Sequence, residues 1–179
     1  MPRAEYKLWQ SHPIDRLVAS CVDPFRTVAA ARNITINVDE SVRRLPHVRF
    51  DWEMMKTVFM NLIDNAVKYS HYNRRIRIYG EADEDWVSVS FEDFGLGIPE
   101  DEYARIFQAY VRGSQRDPRR FIWGSGLGLA VAHDIVKTHG GAIEVRSIPT
   151  AREPLKDNSH KWENYVTVFT VRLPLHQEE

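Results

Sequence analysis

The chain has a single cysteine, Cys21, so no internal disulfide can form, and no cluster of Cys and His has the spacing of a zinc site. It lacks any apolar run approaching the roughly 20 residues that span a bilayer, and its opening MPRAEYKLWQ has no apolar stretch suited to secretion. It also lacks an excess of either charge. The 24 basic and 25 acidic residues leave a formal net charge of −1 and a pI near 6.7, which excludes a general attraction to nucleic acid or anionic lipid. Neither GxxxxGK[ST] nor GxGxxG occurs, which removes the P-loop and dinucleotide-fold readings. What remains is a protein expected in a reducing, cytoplasmic setting, monomeric, with partners recognised locally; this is compatible with a longer parent protein anchored in a membrane.

What is present is enough for one substantial core: 179 residues, 43% hydrophobic and 27% charged. Ile14, Leu17, Val18, Cys21, Phe25, Val28 and Ala29 recur at helical spacing, with Pro24 expected to kink or end the run. Ile34, Ile36 and Val38 alternate as in a half-buried strand. Asp51 is the expected N-cap of a second helix reaching about Tyr69, with Met55, Val58, Phe59, Leu62 and Ala66 on its apolar side. Ile76–Ile78 and Trp86–Phe91 read as an antiparallel hairpin turned by EADED. A short helix is expected over Asp101–Phe107. A third follows from Gly126 to His139, stopped by Gly140 and Gly141. Two last strands, 142–148 and 165–173, flank a long polar loop. Strands and helices mix without βαβ alternation, which predicts an α+β two-layer sandwich: a mixed, mostly antiparallel sheet covered on one face by three helices. A single domain is expected, its core about 14–175, with a mobile lid over 112–125 and a polar loop over 149–164.

All glycines but Gly80 lie between Gly95 and Gly141. In EDFGLGIP, Gly95 and Gly97 follow a strand, where backbone can turn sharply or approach a flat ligand. Asp93 at the strand end offers an acceptor to an exocyclic amino group such as that of adenine, and leaving such a group unpaired is costly enough to give specificity. Alone, this motif reads first as an ordinary Asp-Gly turn. In WGSGLGLA, Gly124, Gly126 and Gly128 precede a helix whose free N–H groups and dipole favour an anion; the alternative is a flexible loop followed by a helix. Asn61, Asn65, Lys68 and Tyr69 share one face of the second helix. Asparagine is a poor helix former, so two of them one turn apart ask for a reason beyond propensity. An amide oxygen can ligate Mg²⁺ alongside phosphates and waters, and Lys68 would add positive charge.

Taken in order, FMNLIDNAVKYS, EDFGLGIP, RIFQAYVRG and GSGLGLAVAHDIVKTHGG resemble the N, G1, F and G2 boxes of sensor histidine kinase catalytic domains, within the gyrase, chaperone, histidine kinase and mismatch-repair ATPase superfamily. The resemblance runs from about Ile14 to Leu175. It implies the Bergerat-type ATP-binding fold holding ATP and Mg²⁺, with Asn65 as main metal ligand and Asn61 close by, and with Lys68 and Tyr69 contacting the nucleotide. Asp93 would read the adenine amino group, and Gly95, Gly97 and Ile98 would shape the base pocket. Phe107 and Tyr110 would anchor the base of the lid. Arg112 suits a phosphate, and Asn65, Lys68 and Arg112 form the implied catalytic set. Gly124, Ser125, Gly126 and Gly128 would close on the phosphates, with Leu127 and Leu129 packed beneath.

Three departures stand out. Phe94 replaces the asparagine common in this family's G1 box, so a polar contact near the base is expected to be missing. The 149–164 loop is longer than usual. No phosphoacceptor segment precedes the domain, so the γ-phosphoryl group of ATP is expected to pass to a histidine on a dimerisation domain outside this chain, and from there to a response regulator. His12, His133 and His139 are read as structural or exposed. An anti-sigma-type serine kinase and a non-catalytic nucleotide-binding module are the alternatives. A gyrase- or chaperone-type ATPase fits less well, because no transducer segment is present.

Overall fold

The computed structural model describes residues 9–112, 124–150 and 164–176. Most of the 112–125 lid and of the 149–164 loop expected from sequence therefore lies outside the described residues. The chain runs through β1 (Gln10–His12), α1 (Ile14–Val22), a 3-10 turn (Asp23–Phe25), α2 (Arg26–Ala30), β2 (Thr35–Val38), a second 3-10 turn (Glu40–Arg44), β3 (Val48–Phe50) and α3 (Trp52–Tyr69). It continues through β4 (Arg75–Ala82), β5 (Trp86–Gly95), a third 3-10 turn (Glu100–Glu102), α4 (Gly128–Thr138), β6 (Ala142–Pro149) and β7 (Tyr165–Pro174).

Five strands form one sheet in the order β2-β4-β5-β7-β6, β2 parallel to β4 and every other pair antiparallel. Alternation along the strands sends Ile76, Ile78, Val87, Val89, Phe91 and Val171 into the core beneath the helices. Phe59 of α3 meets Phe91 edge to face, ring centroids 5.1 Å apart. Each such side chain, fully buried, contributes about 1.5–3 kcal/mol. Arg75, Arg77, Ser88, Glu92 and Arg172 alternate onto the opposite, helix-free face. The expected sandwich, a mostly antiparallel sheet under helices on one face, is the fold observed.

α3 starts where its cap dictates: Met54 N–H donates to Asp51 Oδ1 (3.0 Å). The first helical run is broken at Pro24, as its ring demands, into α1 and α2 joined by the 3-10 turn. Other expectations are corrected. Glu81 and Ala82 belong to β4 rather than to the turn, because the Asp83 carboxylate gathers the N–H groups of Asp85 (2.9 Å) and Trp86 (2.8 Å) and closes the hairpin later. The helix expected over 101–107 is only the turn Glu100–Glu102, continued largely by i→i+3 bonds such as Gln108 N to Arg105 O. α4 starts at Gly128, not Gly126, whose φ of +74° is incompatible with a right-handed helix. The two-stranded β1–β3 sheet was not foreseen.

His139 fastens the two helices nearest the site. It is 1% exposed; its Nε2 accepts the Asp51 N–H at 3.1 Å, which leaves the ring proton on Nδ1 for the Ile135 carbonyl at 2.7 Å, and Trp9 stacks on the ring at 4.3 Å. His139→Ala strands the Asp51 N–H and opens a cavity. The expected loss is about 2–4 kcal/mol in urea unfolding, and a change below about 0.5 kcal/mol would contradict this role.

Candidate functional site

A cavity of about 200 Å³ opens between α3, the end of β5, the turn after it, the start of α4 and the floor formed by β7. From α3 it is lined by Asn61, Asp64, Asn65, Lys68 and Tyr69, and from β5 by Asp93. Gly97, Ile98, Arg112, Gly124, Ser125, Gly126, Gly128 and Leu129 complete the set that sequence reasoning placed there. Gly95 and Leu127 are not in its wall. Asp64, Ile106, Val111, Thr167 and Phe169 are, and the sequence reading did not name them. Asp64 was findable, since it sits three residues after Asn61 and so on the same helix face. Thr167 and Phe169 needed the β5–β7 register, which pairs Thr167 with Asp93 and Phe169 with Phe91.

Asp93 is 4% exposed and its Oδ1 has no hydrogen-bond partner among the described residues. Burial, with a smaller contribution from the charge of Glu92, holds its carboxyl well above the ordinary carboxylate range. A buried acceptor left unmatched at a cavity wall costs stability and fits a ligand that brings a donor.

The cavity also carries two cationic side chains, Lys68 and Arg112. Lys68 contacts the Asp64 carboxylate one turn back on α3, and both side chains stay about a third exposed, at 34% and 37%. The lysine is therefore held at the cavity without being sequestered. Arg112 also lines the cavity, and Gly128 approaches Asn61 Oδ1 closely. Among the described residues no cluster of three or more His, Cys, Asp or Glu could hold a metal alone. A hard cation here would have the two amide oxygens and the Asp64 carboxylate, and would need phosphate oxygens to complete its shell.

Other residues take places the motifs alone do not disclose. Phe94 faces away from the cavity, with the Arg75 guanidinium 5.9 Å from its ring centroid. The loss of a polar contact expected from Phe94 is thus corrected, because strand alternation aims Asp93 inward and its neighbour outward. Gly95 serves docking rather than lining: an added Cβ would lie 1.9 Å from the Tyr69 carbonyl oxygen, which receives the Leu96 N–H at 3.2 Å. Tyr110 is 77% exposed and ties the site through its backbone, its N–H donating to the Gly126 carbonyl at 3.0 Å with both residues at positive φ. Phe107 packs between Phe169 (6.3 Å) and His133 (5.3 Å). His12 sits among Phe50 and Trp52. None of the three histidines lines the cavity.

Residues 50–177, well over half of the chain, match the family described as histidine kinase-, DNA gyrase B- and HSP90-like ATPase. The adaptive-response sensory kinase SasA of Prochlorococcus marinus is 42% identical over 120 residues, covering 66% of this chain and 31% of that protein. The match thus spans about a third of the relative's length. Among solved structures, the mycobacterial sensor histidine kinase MprB aligns with a TM-score of 0.75 at 23% identity, covering 94% of this chain and 100% of that one. Full-length ShkA in complex with AMPPNP aligns at 0.73 and 23% identity, covering 98% of this chain and 33% of that one. Motif order, fold and relatives agree, and the chain belongs to the histidine kinase-, DNA gyrase B- and HSP90-like ATPase family, in its sensor histidine kinase catalytic-domain branch.

Proposed function

We propose that this chain binds Mg-ATP and donates the γ-phosphoryl group to a histidine on a separate helical dimerisation domain, from which a response regulator is phosphorylated in two-component signalling. One observation carries the reading: the partnerless Asp93 oxygen faces the same cavity as the two amides and two cations of Asn61, Asn65, Lys68 and Arg112. An adenine amino group supplies the donor Asp93 lacks. The polyphosphate then reaches the cations, and Asn65, with Asn61 beside it, would hold a magnesium ion through its amide oxygen. The AMPPNP bound by ShkA, a relative in fold, is a nucleotide of the same shape. Bound magnesium would offset charge on the phosphates. The chain's own contribution is positioning and electrostatic stabilisation: Lys68 and Arg112 face the charge that builds on the transferring group, and Gly126 and Gly128 let backbone N–H groups approach it. The acceptor imidazole comes from outside, so this chain alone turns nucleotide over slowly. We place it in the cytoplasm as a monomeric catalytic module.

Asn65→Ala is expected to lower Mg-ATP affinity about tenfold or more in isothermal titration, with a smaller effect when magnesium is chelated. Binding equal to that of the unsubstituted chain would remove Asn65 from the metal site. Mixing with a dimerisation domain should yield acid-labile phosphohistidine; acid-stable phosphoserine on a partner would favour the serine-kinase alternative.

A further inference from the structure

The end of the inward sheet face carries a row of three polar side chains where apolar ones stand elsewhere. Asp93 of β5 pairs with Thr167 of β7, which pairs with Ser147 of β6, so the three project side by side from adjacent strands. Thr167 is 3% exposed and lines the cavity; among the described residues its hydroxyl has one hydrogen bond, to Ser147 Oγ at 2.8 Å. Ser147 Oγ also accepts the Ile98 N–H at 3.0 Å.

Ser147 is itself clamped. β6 is an edge strand, so Ser147 has a backbone N–H and C=O facing outward with no strand to meet them. The Tyr103 hydroxyl serves both: it accepts the Ser147 N–H at 2.6 Å and donates to the Ser147 carbonyl at 3.1 Å. One phenol thus stands in for a neighbouring strand.

Proton accounting gives this row a direction. Either hydroxyl of the Ser147–Thr167 pair can donate; Ser147 Oγ already accepts from Ile98, and among the described residues its one other partner, and so the place for its own proton, is Thr167 Oγ1. With Ser147 donating, the Thr167 proton is released toward the cavity, next to the partnerless acceptor on Asp93. The geometry points to Ser147, held by Tyr103 and Ile98, as a positioning residue that turns Thr167 into a donor beside the Asp93 acceptor and so sets the choice of base. A base edge with an amino group next to an acceptor nitrogen, as in adenine, matches that pair directly or through one water. Hypoxanthine, with a carbonyl and an N–H in those places, opposes it at both.

This rests on the nucleotide reading above, and the test separates the two. Mg-ADP and Mg-IDP are titrated into the full chain by calorimetry. Ser147→Ala is expected to weaken ADP about tenfold and leave IDP unweakened, collapsing the preference; Ser147→Thr, which keeps a hydroxyl, should retain it. Tyr103→Phe removes the clamp while leaving Ser147 in place, shifts the ratio in the same direction, and carries the test if Ser147→Ala does not fold. A purely structural role would weaken both nucleotides together and lower the melting temperature, and that result, or an unchanged ratio, overturns the proposal. An unsubstituted chain that binds neither nucleotide overturns the nucleotide reading itself, and this proposal with it.

Discussion

Gly95→Ala is expected to cost more than about 4 kcal/mol, lowering the melting temperature by about 10 °C or more and abolishing nucleotide binding along with it. The new Cβ would stand 1.9 Å from the Tyr69 carbonyl oxygen, 2.7 Å from its carbon and 2.9 Å from Ser70 Cα, all of them backbone. No rotamer change relieves such contacts; α3 must withdraw from β5. Withdrawal breaks Leu96 N to Tyr69 O (3.2 Å) and His71 N to Phe94 O (2.9 Å), the two bonds that fix the end of α3 to the strand carrying Asp93. Lys68 and Tyr69 sit on that end, so the wall carrying Lys68 and the wall carrying Asp93 would lose their mutual placement. Gly124→Ala is the control, because an added Cβ there meets nothing within 4 Å. Circular dichroism melts of the two variants test the argument. A Gly95→Ala protein melting within about 2 °C of the unsubstituted chain would refute it.

Asp93→Asn should separate stability from function. The folded chain holds the Asp93 proton more tightly than the unfolded one, since burial and Glu92 both disfavour its charge. An acid raised in this way binds more protons folded than unfolded, so its contribution to stability falls as pH rises from the unfolded carboxylate value near ~4 through the raised folded value. Asparagine does not titrate. The variant should therefore match the unsubstituted chain near pH ~4 and become relatively more stable with rising pH, by a few degrees in melting temperature at neutral pH. Adenine nucleotide affinity should meanwhile drop about a hundredfold, because an amide offers the base a weaker acceptor and an opposing donor. Melting curves across the pH series and titration with ADP read both effects. Retained ADP affinity would remove Asp93 from base recognition, and a stability gain absent at every pH would remove the burial penalty.

Much of this architecture is written in local patterns. The cap at Asp51 and the spacing of Met55, Val58, Phe59, Leu62 and Ala66 place α3 within a residue of its observed limits. Alternation does the same for β6 and β7. The elements that escape are held by distant partners. β1 and β3 are three residues each, too short for a period to register, and exist only because they pair across about forty residues of chain. The 100–107 stretch has helix-compatible residues, but Tyr103 is drawn to β6 by its bonds to Ser147, and the backbone stays in tight turns. For the cavity, motif order brings the α3 amides, Asp93 and the later glycines to one place. Thr167 escapes because its importance comes from a cross-strand neighbour, and Gly95 because a glycine beside a helix end looks the same as one beside a ligand until the packing is known.

The bond between His139 and Asp51 has a mechanical consequence. It pins the C-cap of α4 to the N-cap of α3, while Trp9 stacks on the ring. Two rods joined at such a pivot cannot slide lengthwise past each other, so the helix bearing Asn61 and Asn65 and the helix that begins at Gly128 act as a fixed jaw. A ligand held between them meets walls of set separation, and the Tyr110–Gly126 backbone bond fastens the rim of the cavity to the residue two before α4.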